Sequence, residues 1–204
     1  MTKLNIVILS YRSAPFGGGQ GVYIHDISKA LSIMGHKVDV ISGPPYPNLP
    51  EEVNLIQLPG LDLFQTFSFN ERVKIFWKKD RKNFSDIYEF LSVLLGGFPE
   101  MKTFGYRARD YLNINNHYDI VIDNQSISYA MIDVQKLFPF IEIIHHPITK
   151  DFKYEMDQSN KLLYKFSRRR WYSFLKMQKR VAPKINNIIT PSINSLRDIS
   201  KDFN

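Results

Sequence analysis

Glycines dominate a short turn near the start of the chain. Gly17, Gly18, Gly19 and Gln20 follow an apolar run at residues 4–9 and precede apolar residues at helical spacing. Backbone amides at the start of a helix attract phosphate oxygens, and glycine lets an anion approach without a Cβ in the way. The turn is therefore a candidate phosphate-binding site. A tight connector that binds no ligand is the alternative.

The turn departs from two common nucleotide-binding motifs. Reading G-x-G-x-x-G from Gly17 or from Gly19 puts Val22 or Ile24 where the third glycine belongs. Residues 42–44 contain no acid to bind a ribose, and no G-K-[ST] follows the turn. The sequence thus disfavours a nicotinamide-dependent dehydrogenase and a P-loop enzyme.

Two adjacent histidines close a later apolar run. His145 and His146 precede Pro147, at a position where a side chain can face a ligand. Paired histidines that only form structural hydrogen bonds are the alternative. The other three histidines show no H-x-x-x-H spacing and the chain has no cysteine, so we expect no metal site.

A second polar group ends another apolar run. Asp123, Asn124 and Gln125 carry short polar side chains suited to the hydroxyls of a sugar or another polar acceptor. Capping of the helix that follows is an equally good interpretation.

The positive charge of the chain is local. Net charge is +7, and residues 161–184 hold nine basic residues and no acid, which leaves the rest at −2. The segment 72–82 carries six basic residues against one acid, with aromatic residues among them. Such a surface suits an anionic membrane, and a helix that buries its aromatics and leaves its charges in water is an equally good interpretation. No nucleic-acid-binding motif accompanies it. The predicted membrane contacts are Arg72, Lys74, Trp77, Lys78 and Lys79. For the helix expected at 160–181, we expect buried aromatics and leave the role of the arginines open.

Strands and helices alternate along the chain, with buried-strand patterns at the strands. This predicts one α/β domain with a Rossmann-like, doubly wound, mostly parallel sheet flanked by helices, and such sheets bind ligands beyond the carboxyl ends of their strands. The turn, the 123–125 group and the histidines should therefore share one edge. Predicted strands are 4–9, 38–41, 53–58, 118–122, 140–144 and 187–190; predicted helices include 84–95, 99–112, 160–181 and one from about 192.

The N-terminal apolar run is too short for a secretory signal, and no stretch reaches the length of a membrane-spanning helix. We expect a cytoplasmic protein that can lie on the inner face of the cell membrane.

Three stretches together resemble the retaining family-four glycosyltransferases of the GT-B fold. They are the loop and first helix with the strand after it (18–43), the His-His-Pro-Ile-Thr segment (145–149), and Thr-Pro-Ser with the last helix (190–199). The likeness is greatest to a bacterial group with a Gly-Gly-Gln-Gly-Val-Tyr loop and a basic Arg-Arg-Trp-Tyr helix. It covers nearly the whole chain and is weakest between residues 59 and 110.

The resemblance implies transfer of a sugar from a nucleotide-diphosphate donor to an acceptor hydroxyl, with retention and without a metal. It places the donor diphosphate at Gly18 and Gly19 and the transferred sugar at His145, with His146 beside it. It makes residues 1–204 the acceptor-side half, with the donor-binding C-terminal domain absent or on another chain. The acceptor is then a sugar or a lipid.

Two other functions stay open. A domain of this kind can persist without catalysis as a membrane-binding or partner-binding module. A nucleotide-binding oxidoreductase is the third, and the missing acid at 42–44 counts against it.

Overall fold

A parallel sheet forms the centre of the chain. The computed structural model describes residues 2–15 and 19–203, and within these ranges all six strands are parallel, in the order β3-β2-β1-β4-β5-β6. This is the strand order of a Rossmann-type doubly wound sheet. The strands are β1 Asn5–Ser10, β2 Lys37–Ser42, β3 Asn54–Gln57, β4 Ile120–Asn124, β5 Phe140–Ile143 and β6 Ile188–Ile189.

Helices connect the strands and cover the sheet. In the described ranges they are α1 Gly19–Ile33, α2 Phe69–Lys78, α3 Phe84–Leu94, α4 Glu100–Ile114, α5 Tyr129–Leu137, α6 Thr149–Asp157, α7 Leu162–Trp171, α8 Leu175–Val181 and α9 Ile193–Asp202. Short 3₁₀ turns lie at Leu63–Gln65, Tyr172–Phe174 and Ala182–Lys184.

The core has one layer on each face of the sheet, because successive side chains of a buried strand point to opposite faces. Ile6 and Ile8 of β1 pack on one face with Ile24 of α1. Val7 and Leu9 pack on the other face, in a layer completed by α4, α5 and α8. Apolar residues on both faces explain why the central strands lack an alternating pattern.

The predicted α/β fold is confirmed, but the continuous helix expected at 160–181 is wrong. The chain forms α7, a 3₁₀ turn at Tyr172–Phe174 and α8 instead. The break lets Tyr172 and Phe174 enter the core, where each is 8% exposed, whereas Phe166 of α7 stays 70% exposed. The burial of Tyr172 and Phe174 is as expected, whereas Phe166 was expected to be buried and is exposed.

Helices α2 and α6 were absent from the sequence prediction, and α5 entered it only as a helix without bounds after residues 123–125. Helix α5 begins at an N-cap, Ser128, whose side chain accepts a hydrogen bond from Ala130 N–H. Helix α2 has no fully buried residue, but Phe69, Val73 and Phe76 recur at helical spacing and were a signal that the sequence analysis missed.

Candidate functional site

Three connecting segments meet at the carboxyl edge of the sheet. Strand β4 lies between β1 and β5 and pairs in parallel with both, so the segments that follow these strands share one edge. They carry Gly19 and Gln20 at the start of α1, the 123–125 group and the two histidines. The sequence prediction that these groups lie on one edge is thus confirmed for the described residues.

Asp123 holds a strained turn. Its side chain is fully buried, and its Oδ2 accepts hydrogen bonds from Ser126 N–H (3.0 Å), the Ser126 hydroxyl (2.7 Å) and Ile127 N–H (3.2 Å). Gln125 and Ile127 have φ values of 63° and 45°, and positive φ is rare for a β-branched residue. The carboxylate offsets the strain by fixing the turn. These contacts close the turn that precedes α5, and the N-cap of that helix is Ser128, so Asp123 does not itself cap the helix.

Gln125 ties the histidine segment to this turn. Its Oε1 accepts a hydrogen bond from His145 N–H and its Nε2 donates one to the His146 carbonyl, both at 3.1 Å. The side chain is 2% exposed. Gln125 therefore positions the histidines, and its side chain lies behind them.

Asn124 contacts the imidazole of His145 directly. The Asn124 Oδ1 lies 2.8 Å from His145 Nε2. A carbonyl oxygen only accepts hydrogen bonds, so Nε2 carries the proton and Nδ1 is left as an acceptor. The Asn124 Nδ2 is buried and has no hydrogen-bond partner among the described residues.

His145 is half-buried and neutral at pH 7. Burial, assisted by the charge of His146, lowers the pKa of His145 below its usual value. The ring of Tyr23 packs against it edge-to-face at 4.5 Å between centroids. The Ser195 hydroxyl of α9 donates to the His145 carbonyl at 2.8 Å. The ring is thus held by groups from β4 and α1, and the backbone of His145 by a group from α9.

His146 has a different environment. Its side chain is 56% exposed, and its Nε2 lies 3.1 Å from Asp151 Oδ2. An exposed pair of this kind is free to rearrange around a ligand, so the structure favours His145 over His146 as the preorganised group.

The start of α1 lies beside the histidines, because Tyr23, about one helical turn after Gly19, contacts His145. A Cβ on Gly19 would meet nothing within 4 Å. Gln20 lies half-buried beside it in a first turn without acidic residues, so no side-chain carboxylate opposes the helix dipole there. Gly17 and Gly18 lie outside the described residues.

A buried pair of acids was missed by the sequence analysis. Glu142 of β5 and Asp123 of β4 are both fully buried and occupy paired positions on adjacent strands. Burial and the facing carboxylate raise the pKa of Glu142 well above its usual range, and burial raises that of Asp123. The pair holds a proton where surface acids are ionised. A charged residue within an otherwise apolar strand was the signal available.

The predicted membrane contacts lie on and next to α2. Trp77 is 70% exposed, and Lys74 and Lys78 are exposed. Arg72 Nε donates to the Thr66 carbonyl at 2.6 Å, and Lys79 Nζ contacts buried Asp86 at 2.7 Å. The last two side chains stabilise the fold and are less available to a membrane.

Over residues 2–15 and 19–203, no group of three His, Cys, Asp or Glu side chains could hold a metal ion. No helix in these ranges is both long and apolar enough to cross a bilayer. The absence of a metal requirement stays a prediction.

Comparison with known sequences identifies the family of the chain. The profile described as Glycosyltransferase Family 4 matches residues 17–204. The chain belongs to this family. It is 39% identical over 203 residues to the MMP alpha-(1->4)-mannosyltransferase of Mycolicibacterium hassiacum (strain DSM 44199 / CIP 105218 / JCM 12690 / 3849). The match covers 98% of this chain and 48% of that protein, so the chain spans about half the length of this family relative.

Solved glycosyltransferase structures share the fold. The crystal structure of Arabidopsis thaliana UGT89C1 complexed with UDP superposes with a TM-score of 0.50 at 15% sequence identity. The superposition covers 99% of this chain and 46% of that one. The α/β sheet therefore corresponds to half of a GT-B structure.

Proposed function

We propose that this family 4 chain is the acceptor-side half of a retaining transferase that moves a sugar from a nucleoside diphosphate to an acceptor hydroxyl. One observation carries the proposal: Tyr23 joins the open start of α1 to the neutral, fixed imidazole of His145. An anion site and a hydroxyl-binding group then lie next to each other, as a sugar diphosphate requires. The relative named a mannosyltransferase makes mannose the first sugar to test.

The reaction breaks the bond between the anomeric carbon and the diphosphate oxygen and forms one to the acceptor oxygen on the same face. The acceptor proton passes to the leaving diphosphate. Helix-start amides near Gly19 stabilise the charge that develops on that leaving group. His145 Nδ1 accepts a hydrogen bond from a hydroxyl of the transferred sugar, and a neutral imidazole is required for this.

The chain supplies one wall of the reaction cleft. We propose that a C-terminal donor-binding domain supplies the other, because an open sheet edge cannot exclude water from the reacting atoms. The chain spans 48% of its mannosyltransferase relative, which leaves room for such a domain in that protein.

The test is a transfer assay with a panel of nucleoside diphosphate sugars that includes GDP-mannose, and with mannose oligosaccharides as acceptors. We expect no turnover by the purified chain and turnover when the C-terminal half of its relative is added. The His145→Ala variant should abolish the restored activity, whereas His117→Ala, at an exposed position away from the edge, should retain it. Turnover by the chain alone would overturn the two-wall proposal, and full activity of His145→Ala would overturn the role of His145.

A second function, attachment to an anionic membrane, is favoured by one surface. The basic-aromatic surface consists of Lys74, Trp77 and Lys78, which are exposed on α2. Phe76 of α2 stacks on Phe90 of α3 at 4.2 Å and so holds α2 on α3. Two exposed cations beside an exposed indole suit anionic lipid headgroups.

Vesicle sedimentation tests this second function. The chain should bind phosphatidylcholine vesicles that contain phosphatidylglycerol and release them at high salt. Lys74→Glu with Trp77→Ala should weaken binding, whereas Lys136→Glu with Leu137→Ala, a comparable exposed pair on α5, should not. Equal loss in both double variants would contradict a specific membrane surface.

A further inference from the structure

An aromatic cavity lies apart from the His145 loop. It opens between the 63–67 segment, the junction of α3 and α4, and α7, and it has a volume of about 240 Å³. Its lining residues are Leu63, Phe64, Phe67, Arg72, Val93, Gly97, Phe98, Glu100, Arg168 and Trp171.

Three rings form a continuous wall. The centroids of Phe64 and Phe98 lie 5.6 Å apart, and those of Phe64 and Trp171 also lie 5.6 Å apart. Phe98 and Trp171 are 5.2 Å apart. The rings meet at interplanar angles of 79°, 44° and 39°, so they present angled faces and edges to an apolar ligand surface, such as the C–H face of a pyranose.

Polar atoms without partners lie among these rings. The Glu100 Oε2 and the Arg168 Nε are buried, and neither has a hydrogen-bond partner among the described residues. The nearest cation to Glu100 is Arg12, whose Nε lies 3.7 Å from that oxygen. Buried polar groups are nearly always hydrogen-bonded, so these atoms are suited to the hydroxyls of a ligand.

The charges favour a neutral ligand. Arg168 Nη1 pairs with Glu155 at 3.2 Å, and Arg72 Nε already donates to the Thr66 carbonyl. Glu100 adds an acid to the cavity and repels anions. A phosphate or carboxylate would therefore meet one repulsive group and two engaged cations.

We propose that this cavity binds a neutral pyranoside unit of the acceptor, with its C–H face on the ring wall and its hydroxyls on Glu100 and Arg168. The proposal rests on the sugar-transfer function proposed above and names the acceptor class. Arg12, two residues beyond β1, lies over Phe64 at 3.9 Å and joins the cavity to the carboxyl edge. Strands β1 and β5 are separated by one strand, about 10 Å in all, so an acceptor of several sugar units fits better than a monosaccharide.

Tryptophan fluorescence tests the binding. The chain has two tryptophans, and Trp77→Phe leaves Trp171 in the cavity wall as the reporter. Methyl α-D-mannopyranoside and an α-linked mannose oligosaccharide should each change the emission saturably, the oligosaccharide at lower concentration. Inorganic phosphate should not.

Matched variants locate the effect. Val93→Phe fills the cavity and should abolish the response, and Glu100→Ala should weaken it about tenfold. Phe67→Ala removes a side chain from the rim of the cavity at a position that is 87% exposed, so it tests the cavity without a folding penalty. Ile114→Phe adds a ring at an 83% exposed position of α4 outside the cavity and should respond as the Trp77→Phe parent does.

Three outcomes would overturn the inference: no response to either saccharide up to about 50 mM, a response that Val93→Phe and Phe67→Ala leave intact, or a response to phosphate in place of sugar. In the restored transfer assay, Val93→Phe should raise the KM for acceptor with little change in kcat. An unchanged KM rejects the cavity while sugar transfer stands. Saccharide binding without any transfer rejects the proposed function and keeps the cavity.

Discussion

Gly21 offers a sharp test of how α1 is positioned. A Cβ at this position would lie 2.2 Å from the Ala14 carbonyl oxygen and 2.9 Å from its carbon, where real Cβ atoms do not approach within 3.0 Å. Gly21→Ala must therefore move α1 or residues 13–14 by about 1 Å. Neither yields easily, because Ser13 N–H donates to the Pro45 carbonyl at 3.0 Å and Ile24 of α1 is fully buried.

The magnitude follows from two opposing effects. Overpacking of this kind costs about 1–3 kcal/mol, and more when backbone is struck. Alanine recovers about 1 kcal/mol of helix propensity relative to glycine. We expect Gly21→Ala to lower the free energy of unfolding by about 1–2 kcal/mol, and the Tm by about 2–8 °C for a chain of this length.

Gly19→Ala is the matched control. Its added Cβ meets nothing within 4 Å, so the free energy of unfolding should stay constant or rise by up to about 1 kcal/mol. Equilibrium urea unfolding followed by circular dichroism measures both variants. Amide NMR spectra should also show that Gly21→Ala displaces Tyr23 from His145, because Tyr23 follows two residues later on the same helix.

The reasoning is refuted if the free energy of unfolding of Gly21→Ala lies within about 0.5 kcal/mol of that of the parent chain, since so small a change is typical of an unconstrained surface site. Unaltered NMR shifts of Tyr23 and His145 in a folded Gly21→Ala variant would likewise show that the start of α1 is not set by this contact.

Three further predictions concern the edge and the cavity. Gln125→Met leaves His145 N–H and the His146 carbonyl without a hydrogen-bond partner, so urea unfolding should show a loss of about 2 kcal/mol in the free energy of unfolding. The control Gln135→Met removes a similar pair of hydrogen bonds at an exposed position and should cost less than about 1 kcal/mol. Burial lowers the pKa of His145, so the contribution of the neutral imidazole to stability is present above pH 6.5 and lost as the pH falls. An NMR titration that finds a His145 pKa of 6.5 or more contradicts this prediction. Burial raises the pKa of Glu100 to about 7 from 4.5. As the pH rises from 4.5 to 7, the parent chain should therefore lose up to about 3 kcal/mol of unfolding free energy relative to Glu100→Gln. If the unfolding free energies of the two chains change with pH in parallel, the raised pKa is rejected.

The sequence predicted the fold class and five of the strands closely because buried parallel strands leave long apolar runs. It placed β1, for example, within one residue at each end. The 160–181 helix was mispredicted because basic and aromatic residues continue through it without a glycine or proline, and no local signal marks the 3₁₀ turn at Tyr172–Phe174. Burial of Tyr172 and Phe174 decides that break.

The candidate site was only partly accessible to sequence reasoning. The positions of His145 and of the 123–125 group followed from the rule that parallel strands end at one edge. Their separate roles did not, because Asp123 faces inward to the turn, Gln125 faces the backbone of the histidines and Asn124 faces the ring. All three are short polar residues, and nothing in their identity distinguishes these directions.

The sequence by itself determined that this chain forms a parallel α/β sheet with glycines, polar residues and histidines at its carboxyl edge, since hydrophobic periodicity and strand polarity are local properties. Only the tertiary structure decided that Tyr23 meets His145, that Glu142 faces Asp123, and that Glu100 and Arg168 line an aromatic cavity. These pairs join residues from different elements, and their contacts depend on how helices settle on the sheet, which is fixed by packing of the whole core.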